Sequence, residues 1–526
     1  MNSTRTRRAS YAPAALTLTL LAAILIAALF VIVRHAHAQT PTPTPAAQAA
    51  PAPAAAPAGF PSAADRAAQA AASTAERERE MKVLGIAAMQ PGVTAYDIGK
   101  PGNANYDESK ANPYPNLPKL LVFNNGKPVK TAADWAKRRK EISAMFDEYV
   151  YGKYPAHIPS VTWTVTGTEE STVADIPVIV KHVLGHTDNS SYPAITVDMH
   201  IDVVTPAGMK GKRVPVIIGG GSIRRPGAGG FGGFPGARPG AAGAARPARP
   251  TPPPGTVIHG ISMPPNPPDS SKLLLEAGMG FVSRSSNEVQ ADNGAGLTKG
   301  IIGLVNKGQP RSVDDWGVLR AWAWGDARIV DYLLTDPDVD GSKIGVFGHS
   351  RGGKAALVAE VDDPRIAIGY ISSSGAGGAA LFRRNYGETT SSITSTTEFH
   401  WFCGNFLKYG SVGHTANELP VDSHEFIALA APRAVFIGGG ALLTDPKYVP
   451  GDAWQDAQGM FMAAAAASPA WTILGHKGLG TDVFPPQDTF IDTGDIAFRQ
   501  HDYGHTPAPN WPYFIEFAKR EFAKGN

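Results

Sequence analysis

The stretch Lys343-Ile-Gly-Val-Phe-Gly-His-Ser-Arg-Gly-Gly-Lys-Ala-Ala-Leu357 constrains this chain more than any other, because it reads as a strand, a sharp turn and a helix in immediate succession. Gly348-His-Ser350-Arg-Gly352 has the G-x-S-x-G spacing of a nucleophile elbow. In that turn, small residues two before and two after the serine let a strained backbone pack while the hydroxyl stands above a sheet. A serine at this place can also be the N-cap of an ordinary helix. Here the apolar run Ile344 to Phe347 supplies the strand, and Lys354 to Glu360 the helix, that the motif requires. Ser350 is therefore the candidate nucleophile, and the chain must build a sheet with helices against it.

The rest of the sequence is consistent with that demand. A helix is predicted over Trp135 to Tyr151, where Ile142, Met145, Phe146, Tyr149 and Val150 fall at helical spacing. Strands are predicted at Val161 to Thr166, Val178 to Leu184, Ile195 to Val204, Val214 to Gly219, Met279 to Ser283, Ile366 to Ser372, Arg433 to Gly439 and Ile496 to Arg499. The alternation in Thr196-Val-Asp-Met-His-Ile-Asp-Val203 is that of a half-buried strand near an antiparallel edge. Trp316 to Leu334 should be the helix that crosses over to the nucleophile strand, with its tryptophans in the core. Strands alternating with helices give an α/β protein with a mainly parallel, doubly wound sheet in three layers. At 526 residues and 43% hydrophobic content, one large domain with accessory segments is expected.

Those accessory segments are compositional. Arg5, Arg7 and Arg8, an apolar run from Tyr11 to Val33 and Ala36-His-Ala38 before Gln39 form an export pattern, so residues 1–38 are predicted to be a signal peptide. An uncleaved membrane anchor is the alternative, since the run approaches membrane-spanning length. Either way a secreted or periplasmic location follows. Residues 39–75, dominated by Pro and Ala, are predicted to be a disordered linker, and 76–526 the catalytic domain, interrupted by a low-complexity insert at 226–255 that is also predicted to be disordered. The net charge of +2 gives no reason to expect a nucleic-acid partner, Cys403 stands alone, and no H-E-x-x-H or Cys/His cluster calls for a metal or another cofactor. A monomer is expected.

A serine nucleophile needs a base for its proton and an acid to orient that base, and in the α/β-hydrolase order both follow the serine, the histidine last. His501-Asp-Tyr-Gly-His505 lies after the last predicted strand; His505 is preferred because Gly504 lets the loop turn inward, whereas His501 sits close to the strand end. For the acid, Asp445, Asp452 and Asp456 all lie in the loop after Arg433 to Gly439. Arg351 and Lys354 place two cations beside the elbow, which suits an anionic substrate or a developing oxyanion. Gly219-Gly-Gly-Ser222 has the composition of an oxyanion loop but also that of a plain tight turn.

The motif Gly348-His-Ser-Arg-Gly-Gly-Lys354 resembles the G-x-S-R-x-G-K signature of glucuronoyl esterases, carbohydrate esterase family 15. Lys307-Gly-Gln-Pro310, Asp315-Trp-Gly317, Arg320-Ala-Trp-Ala-Trp-Gly325, Ser374-Gly-Ala-Gly-Gly378, Asp422-Ser-His424 and Ala431-Pro-Arg433 resemble its bacterial members, over roughly Tyr114 to Phe522. The resemblance implies an α/β-hydrolase fold and cleavage of the ester between (4-O-methyl)glucuronic acid of glucuronoxylan and a lignin alcohol. It implies Ser350 as nucleophile, His505 as base and Arg351 as a side-chain oxyanion donor. It further implies Lys354 and Glu388 as sugar-hydroxyl contacts and Trp454 as a uronate contact. In many relatives the acid is a Glu within the segment that reads Ser372-Ser-Ser-Gly375 here, so Ser373 replaces it; an Asp two before the tryptophan serves in some bacterial members, which selects Asp452, with Asp456 second. Two other readings stay open: a broader esterase that removes acetyl groups from xylan, and an inactive carbohydrate-binding relative.

Overall fold

The computed structural model describes residues 62–95, 101–223, 266–441 and 451–524. The predicted signal peptide, most of the linker, the insert at 226–255 and Asp445 lie outside them. Ser62 opens helix α1 (Ala63–Val83): its Oγ accepts from the Asp65 N–H at 3.1 Å while the Asp65 carboxylate accepts from the Ser62 N–H at 3.0 Å. That reciprocal cap and the alanine-rich run behind it form a helix where the sequence reading carried the linker on to residue 75. The alanines that made the segment look unable to build a core are strong helix formers.

Helix α2 (Ala132–Tyr149) precedes a sheet that, among the described residues, has ten strands in the order β1-β2-β3-β5-β4-β6-β7-β8-β10-β9. The strands are β1 (Val161–Val173), β2 (Ile176–Thr187), β3 (Asp198–Pro206), β4 (Val214–Ile218), β5 (Gly280–Ser283), β6 (Val339–His349), β7 (Ile368–Ser372), β8 (Ala434–Gly439), β9 (Phe490–Ile491) and β10 (Ile496–Gln500). From β5 through β10 neighbouring strands run parallel, whereas β1, β2, β3 and β5 pair antiparallel and β9 closes the far edge antiparallel to β10. The β1–β2 hairpin is longer than predicted because Ala174 and Asp175 both take positive φ, the two-residue turn whose twist matches its strands. β9 was missed; two residues carry no periodicity.

The period of two along the central strands sorts side chains to opposite faces. Ile368, Tyr370 and Phe436 face helices α3 (Ser270–Glu276) and α7 (Trp511–Ala523), packing with Leu274, Trp511, Phe514 and Phe517. Val346, Ile371, Val435 and Ile437 face the other way, toward α4 (Val318–Leu333), α5 (Arg351–Asp362) and α6 (Ala457–Ala467). Two buried faces make the three layers. Each large aromatic buried here contributes roughly 1.5–3 kcal/mol. Trp322 and Trp324 are 5% exposed within α4, core residues as predicted. Because β4, β6, β7, β8 and β10 run in one direction, their C-terminal ends share one edge, where loops can bring residues remote in sequence together.

Candidate active site

β6 ends at His349, and Ser350 sits between strand and α5 with φ 59° and ψ −132°. A non-glycine residue at positive φ is strained, and this one is held by the Ser350 N–H donating to the Ser372 carbonyl at 2.9 Å and by Gly353 N–H donating to the Ser350 carbonyl at 2.8 Å. A side chain on Gly348 would collide with the Gly352 carbonyl, and one on Gly353 would lie 2.6 Å from the Ser372 carbonyl, whereas Gly352 faces open space. The glycine the turn needs after the serine is thus Gly353, one residue beyond the G-x-S-x-G reading. Glycines 219–221 are explained by packing: added Cβ atoms would lie 2.8 Å from the Phe347 carbonyl, 2.8 Å from Leu274 and 2.7 Å from Phe281.

Next to the elbow, the His349 and His505 rings lie 4.3 Å apart. His505 Nδ1 meets Asp452 Oδ1 at 2.6 Å, and that carboxylate is 1% exposed. Its other oxygen accepts from Ser373 Oγ and from the Gly440 N–H, each at 2.6 Å. Asp456 is engaged elsewhere: it caps α6 through the Gly459 N–H at 2.9 Å and pairs with Arg384 Nε at 2.7 Å. His501 is also occupied, its Nδ1 accepting from the Tyr503 N–H at 3.0 Å and its Nε2 meeting the Thr506 carbonyl at 2.8 Å. Burial, the dominant influence, lowers the His501 pKa and favours the neutral ring that this bonding requires. So His501 shapes the loop, and His505 faces the acid.

Lys354 is 1% exposed and donates to the Ser374 carbonyl at 2.6 Å, the Ala376 carbonyl at 2.7 Å and Glu388 Oε2 at 2.6 Å. An ammonium has three protons, so a sugar hydroxyl would reach Lys354 only by replacing one of these acceptors. The Glu388 N–H donates to the Trp454 carbonyl at 2.8 Å, which joins two of the residues expected to contact the sugar. Two acids were missed from the sequence. Glu398 is pushed up to about 8, first by burial and then by the charge of Glu388, with Lys354 and Arg351 opposing. Asp292 binds Arg351 Nε at 2.6 Å. Both lie in Ser/Thr- or Gly-rich loops, where an isolated acid carries no sequence signal of its own.

A serine on a strained elbow, a histidine whose ring lies 4.3 Å from that of the elbow's His349 and a buried carboxylate on that histidine, all at the C-terminal edge of a parallel sheet with helices on both faces, are the arrangement of an α/β-hydrolase. The comparisons with known proteins narrow the class. The family described as "Glucuronyl esterase, fungi" matches residues 276–475. A carbohydrate esterase, MZ0003, from an unknown prokaryotic organism is 31% identical over 440 residues, covering 81% of this chain and 94% of the relative. A carbohydrate esterase family 15 glucuronoyl esterase from Teredinibacter turnerae superposes with a TM-score of 0.72 at 34% identity, covering 86% of this chain and 100% of that one. A 4-O-methyl-glucuronoyl methylesterase of Podospora anserina is 28% identical over 327 residues, covering 60% of this chain and 53% of the relative. The chain belongs to carbohydrate esterase family 15, the glucuronoyl esterases.

Proposed function

We propose that this protein hydrolyses the ester between (4-O-methyl)glucuronic acid of glucuronoxylan and a lignin alcohol, with Ser350, His505, Asp452 and Arg351 as its catalytic residues. Ser350 Oγ attacks the ester carbonyl while His505 takes its proton. Asp452 holds the imidazole by Nδ1 and stabilises the imidazolium that forms. Arg351 meets the oxyanion; the ester is neutral until attacked, so a cation here favours the transition state over the ground state. Collapse breaks the bond to the alcohol oxygen, which leaves with the proton from His505. A water activated by His505 then hydrolyses the acyl-enzyme, releasing the uronic acid and restoring Ser350. Glu388, held by Lys354, is assigned to the sugar hydroxyls and Trp454 to the uronate. Residues 1–38 support export, and among the described residues no helix is long and apolar enough to cross a membrane.

The observation that carries this reading is the Asp452 carboxylate at 2.6 Å from His505 Nδ1, in a chain of this family whose position 373 holds serine. It favours an active esterase over an inactive carbohydrate-binding relative, the reading that rested on the acid missing at Ser373. The test is hydrolysis of benzyl or methyl glucuronate beside acetylated xylan. Release of the uronic acid from the first at rates well above acetate release supports the proposal; acetate release alone would reassign the protein as an acetyl esterase.

A further inference from the structure

We propose that Asp292 is a positioning residue for the oxyanion step: it fixes the guanidinium of Arg351, and helix α1 holds the two segments that fix Asp292. The inference rests on the reading of Arg351 as the oxyanion donor. Arg351 is a long side chain, 45% exposed, so without a tether it would sample many rotamers in solvent. Asp292 Oδ2 meets its Nε at 2.6 Å. An exposed ion pair is ordinarily worth little to stability, but this carboxylate is itself clamped. Its Oδ1 accepts from Trp401 Nε1 at 2.7 Å and lies 3.0 Å from His400 Nε2, and both rings are buried. Burial opposes ionisation of Asp292, yet the His400 hydrogen bond and the Arg351 charge hold its pKa below the ordinary value, so it stays anionic. A carboxylate anchored at one oxygen presents the other in one place, which is what a preorganised donor requires of its partner.

Helix α1 ties down both sides of that clamp. The Ala295 N–H, three residues beyond Asp292, donates to Ser73 Oγ at 3.0 Å. Gly294 has no side chain because one would lie 2.7 Å from Phe399 and 3.2 Å from Ser73. On the His400–Trp401 side, Arg77 Nε donates to the Thr394 carbonyl at 2.8 Å. Below, Glu80 pairs with Arg311 at 2.8 Å with both side chains 0% exposed, an interaction too buried to slip. A helix outside the sheet thereby reaches the elbow arginine through one acid.

The experiment is a double-mutant cycle on the full chain with benzyl glucuronate as substrate. Asp292→Asn should lower kcat by about tenfold to a hundredfold, less than loss of a whole oxyanion donor, with KM and the melting temperature nearly unchanged. In an Arg351→Ala background the same substitution should have almost no effect, because the group it positions is gone. Asp292→Glu, which keeps the charge, should recover part of the loss. Arg77→Ala, on α1, should lower kcat several-fold by the same route and serves as the probe if Asp292→Asn does not fold. An equal kcat loss in both backgrounds, an unchanged kcat, or a rise in KM alone would overturn the proposal. If the unmutated chain turns over 4-nitrophenyl acetate but not the glucuronate, the substrate assignment fails, and the cycle is then read on the acetate.

Discussion

Replacing Asp452 by Asn tests the acid assignment with little change of shape, and the hydrogen bonds around it say which way the amide will turn. Asp452 Oδ2 accepts from both Ser373 Oγ and the Gly440 N–H, while Oδ1 faces His505 Nδ1. An Asn oxygen must take the Oδ2 position, since an NH2 there would oppose the Gly440 N–H donor in a site 1% exposed. The NH2 then points at His505 Nδ1 and donates to it, forcing the proton onto Nε2, the nitrogen that must accept from Ser350. The imidazole is held in the wrong tautomer as well as losing its counter-charge. The same change in the serine-protease triad lowers kcat by about 10⁴, or about 5 kcal/mol of transition-state stabilisation. Because the flipped orientation of the amide is closed here, the wrong tautomer has no escape and a loss of about 10³ to 10⁴ is expected. The assay is kcat on benzyl glucuronate, with circular dichroism and thermal unfolding to establish that the fold persists. A kcat within tenfold of the unmutated protein in a folded variant would refute the argument, as would full loss in Asp456→Asn with Asp452→Asn unaffected.

Ser350→Ala should abolish turnover and leave the melting temperature unchanged or raised, since it removes the nucleophile without touching the core; residual turnover at a comparable rate would exclude the acyl-enzyme. Arg351→Ala should lower kcat by about 10² to 10³, the usual loss for one oxyanion donor, and an effect confined to KM would restrict it to binding. Ser373→Glu should partly restore activity to Asp452→Asn but impair the otherwise unmutated protein; additive effects in the two backgrounds would show that the sites do not share the imidazole. Glu360 is buried under β7 and pushed up to about 8 by that burial, with Arg433 opposing, against an ordinary value of 4.5. The folded state therefore holds a proton that the unfolded chain gives up between pH 4.5 and about 8, so its contribution to stability is full below that window and lost as pH rises through it. Glu360→Gln should flatten this part of the stability–pH curve in thermal unfolding and raise the melting temperature at pH 8 by a few degrees; an unchanged slope would remove Glu360 as its source.

What the sequence disclosed follows from how locally each feature is encoded. β7, β8, β10 and α4 were legible within two residues of their ends because apolar runs and helical spacing are properties of short windows. Ser350 was legible because a nucleophile elbow needs its strand, glycines and helix contiguous in the chain. Which glycine matters after the serine was not, since that depends on the Ser372 carbonyl of a neighbouring strand. Residues of α1 were taken for linker because composition cannot distinguish an alanine-rich helix that docks by Ser73, Arg77 and Glu80 from one that does not fold. Asp292 and Glu398 were invisible for the same reason: their partners lie on other segments. His505 was separated from His501 only by a glycine, and it is the hydrogen bonds of His501 to Tyr503 and Thr506 that give the choice a physical basis.

The place proposed for the acid has a physical rationale in the contact between Ser373 and Asp452. Ser373 stands at the C-terminal end of β7 with φ 44°, and its N–H donates to the Gly438 carbonyl of β8 at 2.7 Å, so its side chain is directed by a strained, pinned backbone. Its Oγ reaches Asp452 Oδ2 at 2.6 Å, so a carboxylate grown from position 373 and the one delivered from beyond β8 would compete for one volume beside one imidazole nitrogen. Two carboxylates that close cannot both stay ionised, and one would take up a proton and cease to stabilise the imidazolium. The site therefore has room for a single charged acid beside that nitrogen. Once Asp452 holds the position, the residue at 373 must be small and able to donate a hydrogen bond, and serine meets both requirements. This is why Ser373→Glu is expected to help only where Asp452 has already lost its charge.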